Sequence, residues 1–336
     1  MMNERKKTES PVRFRTEAPE FLAPFCHTAP MQRLRNVGMN CGCEYTSFPL
    51  FRKLQSYSRY RHSLCAARIV WDFSGDTSQT LAALFHDIAT PTFAHSVDFL
   101  RGDHLRQEST EADTERMIRD CVEIVRLLDQ YGIELDRVVD YHRYPIADND
   151  APRLSADRLE YTLGNLDNYG FRCVAELQAY YDDLTVSVNE TGETELCFRD
   201  ADTAISFGLD ALRCSRVYVS EQDRYAMQML AELLSRAIER EVLSAADLST
   251  TEPQVIEKMR QDPETAVEWE RFCALHEMLY EEKDAPLSNR RVIPAKKRYV
   301  DPFVAGKGRA SSLDARFADE LLRFLSEPQD RWICGR

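Results

Sequence analysis

Apolar residues recur at helical spacing along most of this 336-residue chain, a periodicity that directs it toward a mostly α fold. Between Ser63 and Trp71, Leu64, Ala67, Ile69 and Val70 mark a buried helical face that should end near Gly75. A second helix is expected after Thr77, through LAALFHDIA, with Pro91 as its stop, and another apolar segment follows at FAHSVDFL. A longer amphipathic helix is expected over Glu111 to Tyr131, where Met117, Ile118, Cys121, Ile124, Val125 and Leu128 make a stripe. Further helical patterns cover 159–166, 224–241 and 315–325. One stretch differs. LTVSVNETGETELCF alternates polar and apolar residues around Asn189-Glu190-Thr191-Gly192, the pattern of a β-hairpin. An isolated hairpin is only marginally stable, so this one should lie against the helical body.

Charge and composition narrow the functional classes. Fifty-six acidic residues against 43 basic ones give a formal charge of −13, opposite to the field that non-specific nucleic-acid binding requires. An anionic substrate must then meet a local positive site, either a metal or a few arginines. Sparse glycine (12) and proline (14) exclude collagen-like and low-complexity architectures. No apolar run approaches the roughly 20 residues that cross a bilayer, so no membrane association is expected. The charged N-terminus has no apolar signal core, and the expected compartment is the cytoplasm. Ten irregularly spaced cysteines do not resemble a secreted disulfide framework. Cys41-x-Cys43 lacks a second pair at zinc-site spacing and reads as two reduced thiols. Neither a Walker A loop, a dinucleotide fingerprint nor a G-x-S-x-G elbow is present.

Chemistry concentrates in three segments: YSRYRHSLCAARIV, LAALFHDIATPTFAHSVDFL and LSADRLEYTL. They offer His62 on one helix, the adjacent pair His86-Asp87 on the next, and Asp157 at the start of a later one. Two imidazoles and two carboxylates suit a divalent ion such as Mn, Fe, Ni or Zn, with Mg the harder alternative. An adjacent His-Asp pair alone arises by chance in many chains. This one follows the apolar run LAALF, where burying it without a partner is costly.

The order H…HD…D, with RHSL, ALFHDI and ADRLEY, resembles the HD-domain metal-dependent phosphohydrolases. Within them it is most similar to the dGTPase-like deoxynucleoside triphosphate triphosphohydrolase branch. The similarity begins at MQRLRNVGMNCG followed by SRYRHSL, and continues through FAHSVDF, RVYVSEQDR, ADLSTTEPQVIEKM and KKRYVDPFV. It spans roughly residues 20–325 and is most specific from Pro30 to Asp98 and around Asp157.

The resemblance implies an HD-domain helical bundle with a small β-hairpin excursion. Residues 1–20 would be a flexible segment, 21–325 a single domain and 326–336 a tail. Within the domain it implies a metal-binding core at about 30–170, the hairpin at about 184–198 and a C-terminal helical part at about 200–325. His62, His86, Asp87 and Asp157 would hold the divalent metal, whose activated water would attack phosphorus. Arg59, Arg158 and Tyr161 would face substrate phosphate and sugar, while His95 and Asp98 would stand beside the reacting phosphate. The substrate would be a nucleotide or related small phosphate ester, and the protein a homo-oligomer.

Departures from the family pattern redirect that expectation. The family's HD-[IL]-G-H-x-P-F-x-H reads HDIATPTFAH here, so Ala89 replaces the glycine and Thr90 the first following histidine. The place of a second functional histidine falls on Gln107-Glu108, with His104 nearby, and Gln cannot cycle a proton. Met39 stands where a sugar-reading glutamine is expected, and Asn165 where an aspartate is expected. The leading expectation is a metal hydrolase whose substrate is not an ordinary deoxynucleoside triphosphate. The alternatives are other HD chemistries with a second metal, or an impaired enzyme serving as nucleotide sensor or oligomeric scaffold. The basic cluster Arg290, Arg291, Lys296, Lys297, Arg298, Lys307 and Arg309 reads as a solvated tail, an anion site or a subunit contact. His27, His142 and His276 read as structural or surface residues.

Overall fold

Side-chain caps set the start of nearly every long helix that matters to the site. In the computed structural model, which describes residues 10–105, 113–280 and 291–336, Ser58 opens α1 (Arg59–Ser74) and Asp76 opens α2 (Thr77–Phe85). The short α3 (His95–Leu100) has no side-chain cap. Ser155 then opens α4 (Ala156–Asn168), Asp200 opens α5 (Ala201–Tyr218) and Ser220 opens α6 (Glu221–Glu239). Gly75, at φ 62°, ends α1 in the left-handed conformation that glycine adopts without strain. Two further helices, α7 (Glu252–Gln261) and α8 (Pro263–Ala274), pack beside α6, and α9 (Ala315–Ser326) lies on α5.

Helices dominate the described residues, and the strands are short. β1 (Leu184–Val188) pairs antiparallel with β2 (Thr194–Phe198), with Leu184 opposite Phe198. The hairpin's turn is tied by Asn189, whose side-chain carbonyl accepts from the N–H groups of Thr191 and Glu193. β3 (Met278–Tyr280) pairs with the last strand, while β4 (Phe303–Val304) adds to β2 and β5 (Gly308–Arg309) to β4. That last strand is β6 (Ile333–Gly335), within the expected tail. The expected long helix over 111–131 is instead two, Thr114–Asp120 and Val122–Tyr131, with extended backbone at Cys121. The break lets Ile118 and Ile124 both reach the core, although six residues apart they would lie on different faces of one helix.

Two apolar clusters flank the functional region. One gathers Ala67 and Ile69 of α1, Leu81 and Leu84 of α2, Leu159 and Leu163 of α4, and Leu196 of the hairpin. The other gathers Phe93 and Val97 with Leu230, Leu234, Val255 and Trp269. Residues 10–20 lie against the first: Arg15 donates to the carbonyls of Tyr181 and Leu184, and its N–H bonds Asp72 at 2.7 Å.

Candidate metal centre and its cavity

Three helix termini converge on one point. Arg59 and His62 lie three residues apart, on one face of the first turn of α1. His86 and Asp87 occupy the tight turn after α2, closed by Ile88 N–H on Phe85 O and Thr90 N–H on Asp87 O. Asp157 sits in the first turn of α4. His62 Nε2 lies 3.0 Å from His86 Nε2, 3.0 Å from Asp157 Oδ1 and 3.7 Å from Asp87 Oδ2. His86 Nε2 is 3.5 Å from both Asp87 Oδ2 and Asp157 Oδ1.

Three of the four donors are held from behind. His62 Nδ1 bonds Glu160, which also accepts from Tyr57 OH, and His86 Nδ1 donates to Ala83 O at 2.7 Å. Both imidazoles therefore turn Nε2 inward, toward each other and the two carboxylates. That gathering of nitrogen and carboxylate donors draws positive charge, so the donor set fits a divalent metal. Arg59 Nη1 donates to both oxygens of Asp87, at 3.0 and 2.9 Å, and Thr90 Oγ1 donates to Oδ1 at 2.8 Å. Thr90 thus serves as a brace for Asp87.

The electrostatics carry the same signature. Burial disfavours charge on His62, yet Glu160 and Asp157 outweigh it and push its pKa up to about 10. His86 is raised as well, since Asp87 and Asp157 overcome its burial. Asp87 and Asp157 are themselves buried, but Arg59 and the two histidines hold the first, and the histidines the second, below the usual carboxylate range. The centre is a sink for positive charge.

A cavity of about 600 Å³ opens from this centre. It is lined by Arg59, His95, Arg158, Tyr161, Lys296 and Arg298, and also by Met39, Asn165, Tyr169, Tyr218, Asp223 and Met227. Asn165 stands two turns beyond Asp157 on α4 and bonds Tyr218, so this second group reaches away from the cage. Asn149 accepts from Arg158 Nη1 at 2.7 Å, with Asp148 at 3.3 Å. His95 bonds Asp98 through Nδ1 (2.8 Å) and Arg298 through Nε2 (3.2 Å). Burial, Arg298 and Arg59 push His95 down to about 4 against the pull of Asp98, so the ring is neutral. Asp98 is fully buried and stands behind His95. Just before His95, Phe93 and Ala94 adopt φ of 63° and 42°, strain held in place by their complete burial.

All nine residues singled out from the sequence lie in or directly behind this cavity. Several others there were not anticipated. Glu160 had a local signal, because it follows Asp157 by three residues on the inward face of α4. Arg298 was named only as one of the basic cluster, with nothing to place it at the cage: it arrives from 203 residues beyond His95. The solvated-tail reading of the basic cluster is corrected for its described members Arg291, Lys297 and Arg309. Arg309 pairs with Glu190 and Glu195, Arg291 with Glu232, and Lys297 with the carbonyls ending α9. His142, read as structural or surface, lines the cavity beside Tyr141, whose ring meets His86 edge-on at 5.5 Å. His104 stacks on Phe99 outside the cavity lining, and Gln107 and Glu108 lie outside the described residues.

Among the described residues, no helix is long and apolar enough to cross a membrane. No protein-family model matches the chain. It is 26% identical over 239 residues to the uncharacterized protein YdhJ of Bacillus subtilis, covering 69% of each. It is 23% identical over 199 residues to a Cordyceps militaris protein named metal-dependent phosphohydrolase cns2. That match covers 59% of this chain and 54% of the fungal protein, so the chain spans about half the length of that relative. In fold it is similar to the crystal structure of a hypothetical protein from Aquifex aeolicus, with a TM-score of 0.62 and 17% identity over 95% of this chain and 92% of the other. A distant relative is thus named a metal-dependent phosphohydrolase, and a buried His62–His86–Asp87 group in this chain has the arrangement to bind a metal.

Proposed function

We propose that the protein is a divalent-metal-dependent phosphohydrolase of the HD-domain type, dGTPase-like in ancestry, acting on a nucleotide or related phosphate ester. The observation that carries this reading is the four-donor cage of His62, His86, Asp87 and Asp157 facing Arg59 and Arg158 in one cavity. A bound divalent ion supplies an acidified water and a polarised phosphoryl oxygen. Arg59, fixed through Nη1 on Asp87, has no protein partner for Nη2 among the described residues and presents it to phosphate. Arg158, steadied by Asn149, offsets charge on the phosphoryl oxygens, and Tyr161 borders the same space. Asp98 positions neutral His95, which orients substrate or water by hydrogen bonding. In this reading residues 21–325 work as one unit, in the cytoplasm and as a homo-oligomer.

Turnover of a panel of dNTPs, NTPs, monophosphates and cyclic dinucleotides with added manganese tests the proposal, with His86→Ala/Asp87→Ala as control. Phosphate release that vanishes in the control supports it, and metal-independent release contradicts it. A second reading, a nucleotide sensor or scaffold, is favoured by one observation: both nitrogens of His95 are engaged and Thr90 is spent on Asp87. Neither His95 nor Thr90 is then free to hand a proton to a leaving group. Binding of panel members without turnover would select this second reading.

A further inference from the structure

The far end of the cavity is chemically unlike the cage. Asp223, in the first turn of α6, lines it as a carboxyl group without a cation partner among the described residues. Its adjacent arginine, Arg224, is committed to the carbonyls of Val219 and Ile293. Among the described residues the donor on the Asp223 carboxyl is the Cys43 thiol, 3.7 Å from Oδ1 and weak by nature. Burial pushes the Asp223 carboxyl up to about 8, against the pull of Cys43 and Arg224. A second group there is also short of a donor. Asn165, only 6% exposed, gives Nδ2 to Tyr218 OH at 2.7 Å, and its buried Oδ1 has no partner. Two acceptors awaiting donors therefore lie among Tyr169, Tyr218 and Met227, the flat and soft surfaces that take a planar ring.

We propose that this end is a recognition site for an amino-bearing heterocycle, whose exocyclic amine donates to Asp223 while Asn165 Oδ1 takes a second donor from the same ligand. Resting on the phosphohydrolase reading, this names the substrate class as nucleotides of adenine, guanine or cytosine. A buried acceptor is costly to leave unpaired, so deleting only the amine should weaken binding by about tenfold or more. Asp223 is then a specificity residue, and the cage and arginines are indifferent to the base.

Calorimetric titration of the full chain with paired ligands tests it: AMP against purine riboside monophosphate, GMP against IMP, and CMP against 2-pyrimidinone riboside monophosphate. At least one amino member should bind about tenfold more tightly than its partner, with that ratio falling to about one in Asp223→Leu. Asp223→Asn, which retains a carbonyl acceptor, should keep most of the preference and guards against misfolding in the leucine variant. Ratios near one for every pair in the parent, or a preference that survives Asp223→Leu, would overturn the inference. Phosphate release from the same ligands with manganese is read separately. Base preference without release removes the hydrolase reading alone, and release without preference removes this inference alone.

Discussion

The two ends of the cavity treat buried polarity in opposite ways. At the cage three of the four donors have a partner behind them: Glu160 for His62, Ala83 O for His86, Arg59 and Thr90 for Asp87. What remains unsatisfied is a concentration of lone pairs, which only a cation answers. At the far end support is thin among the described residues: the Cys43 thiol alone donates to the Asp223 carboxyl, and the buried Asn165 Oδ1 has no partner. The first arrangement is preorganised for a small hard ligand. The second withholds hydrogen bonds for a larger one to supply.

Removing the cage should break this contrast most visibly. His86→Ala/Asp87→Ala is expected to lose bound metal and at least about 1,000-fold of phosphate release, because the metal's charge stabilisation is worth several kcal/mol. Metal analysis of the purified variant alongside its phosphate-release rate checks it. Glu160→Gln leaves every ligand in place and disturbs only the support of His62. Its metal affinity should fall by about 10–100-fold, the range for partners behind a ligating histidine, measured by competition with a chelating dye.

Arg298→Ala sharpens the comparison from the cage side. Burial and the Arg298 and Arg59 charges hold His95 near 4, so losing one cation should move its titration up toward 6.5 in imidazole NMR spectra. The folded state disfavours protonated His95. That contribution to stability is therefore complete above 6.5 and is lost as pH falls toward 4. In Arg298→Ala the acid-side loss should be smaller.

Asp223 gives the opposite sign. Its folded pKa is raised from 3.8 to about 8, so its contribution is complete below 3.8 and is lost as pH rises toward 8. Asp223→Asn should flatten that limb of the stability curve and stabilise the chain at pH 8 by about 1–3 kcal/mol. Urea unfolding across pH 4–8 reads the effect. A site that gains stability when its polar group is neutralised is one kept for binding.

This contrast also explains what the sequence could convey. The cage is legible because its donors end or begin helices whose apolar stripes are local: LAALF carries His86-Asp87 into the interior, and the Ser155 cap fixes Asp157. Glu160 was legible by the same rule, since i+3 from a ligand on one helix face is a supporting position. Arg298, His142 and Asp223 are different. Each reaches the cavity through packing of segments distant in sequence, and nothing in the spacing around it marks a destination. The break at Cys121 was hidden for a similar reason, because two core contacts overrode a continuous helical stripe.

The most direct test of the central claim is to strip the protein with chelator and add manganese back stepwise, following bound metal and phosphate release from a nucleotide monophosphate panel together. The account predicts that both rise in parallel in the parent protein and that neither rises in His86→Ala/Asp87→Ala. Release that is unaffected by stripping, or metal that binds equally well to the double variant, would contradict it.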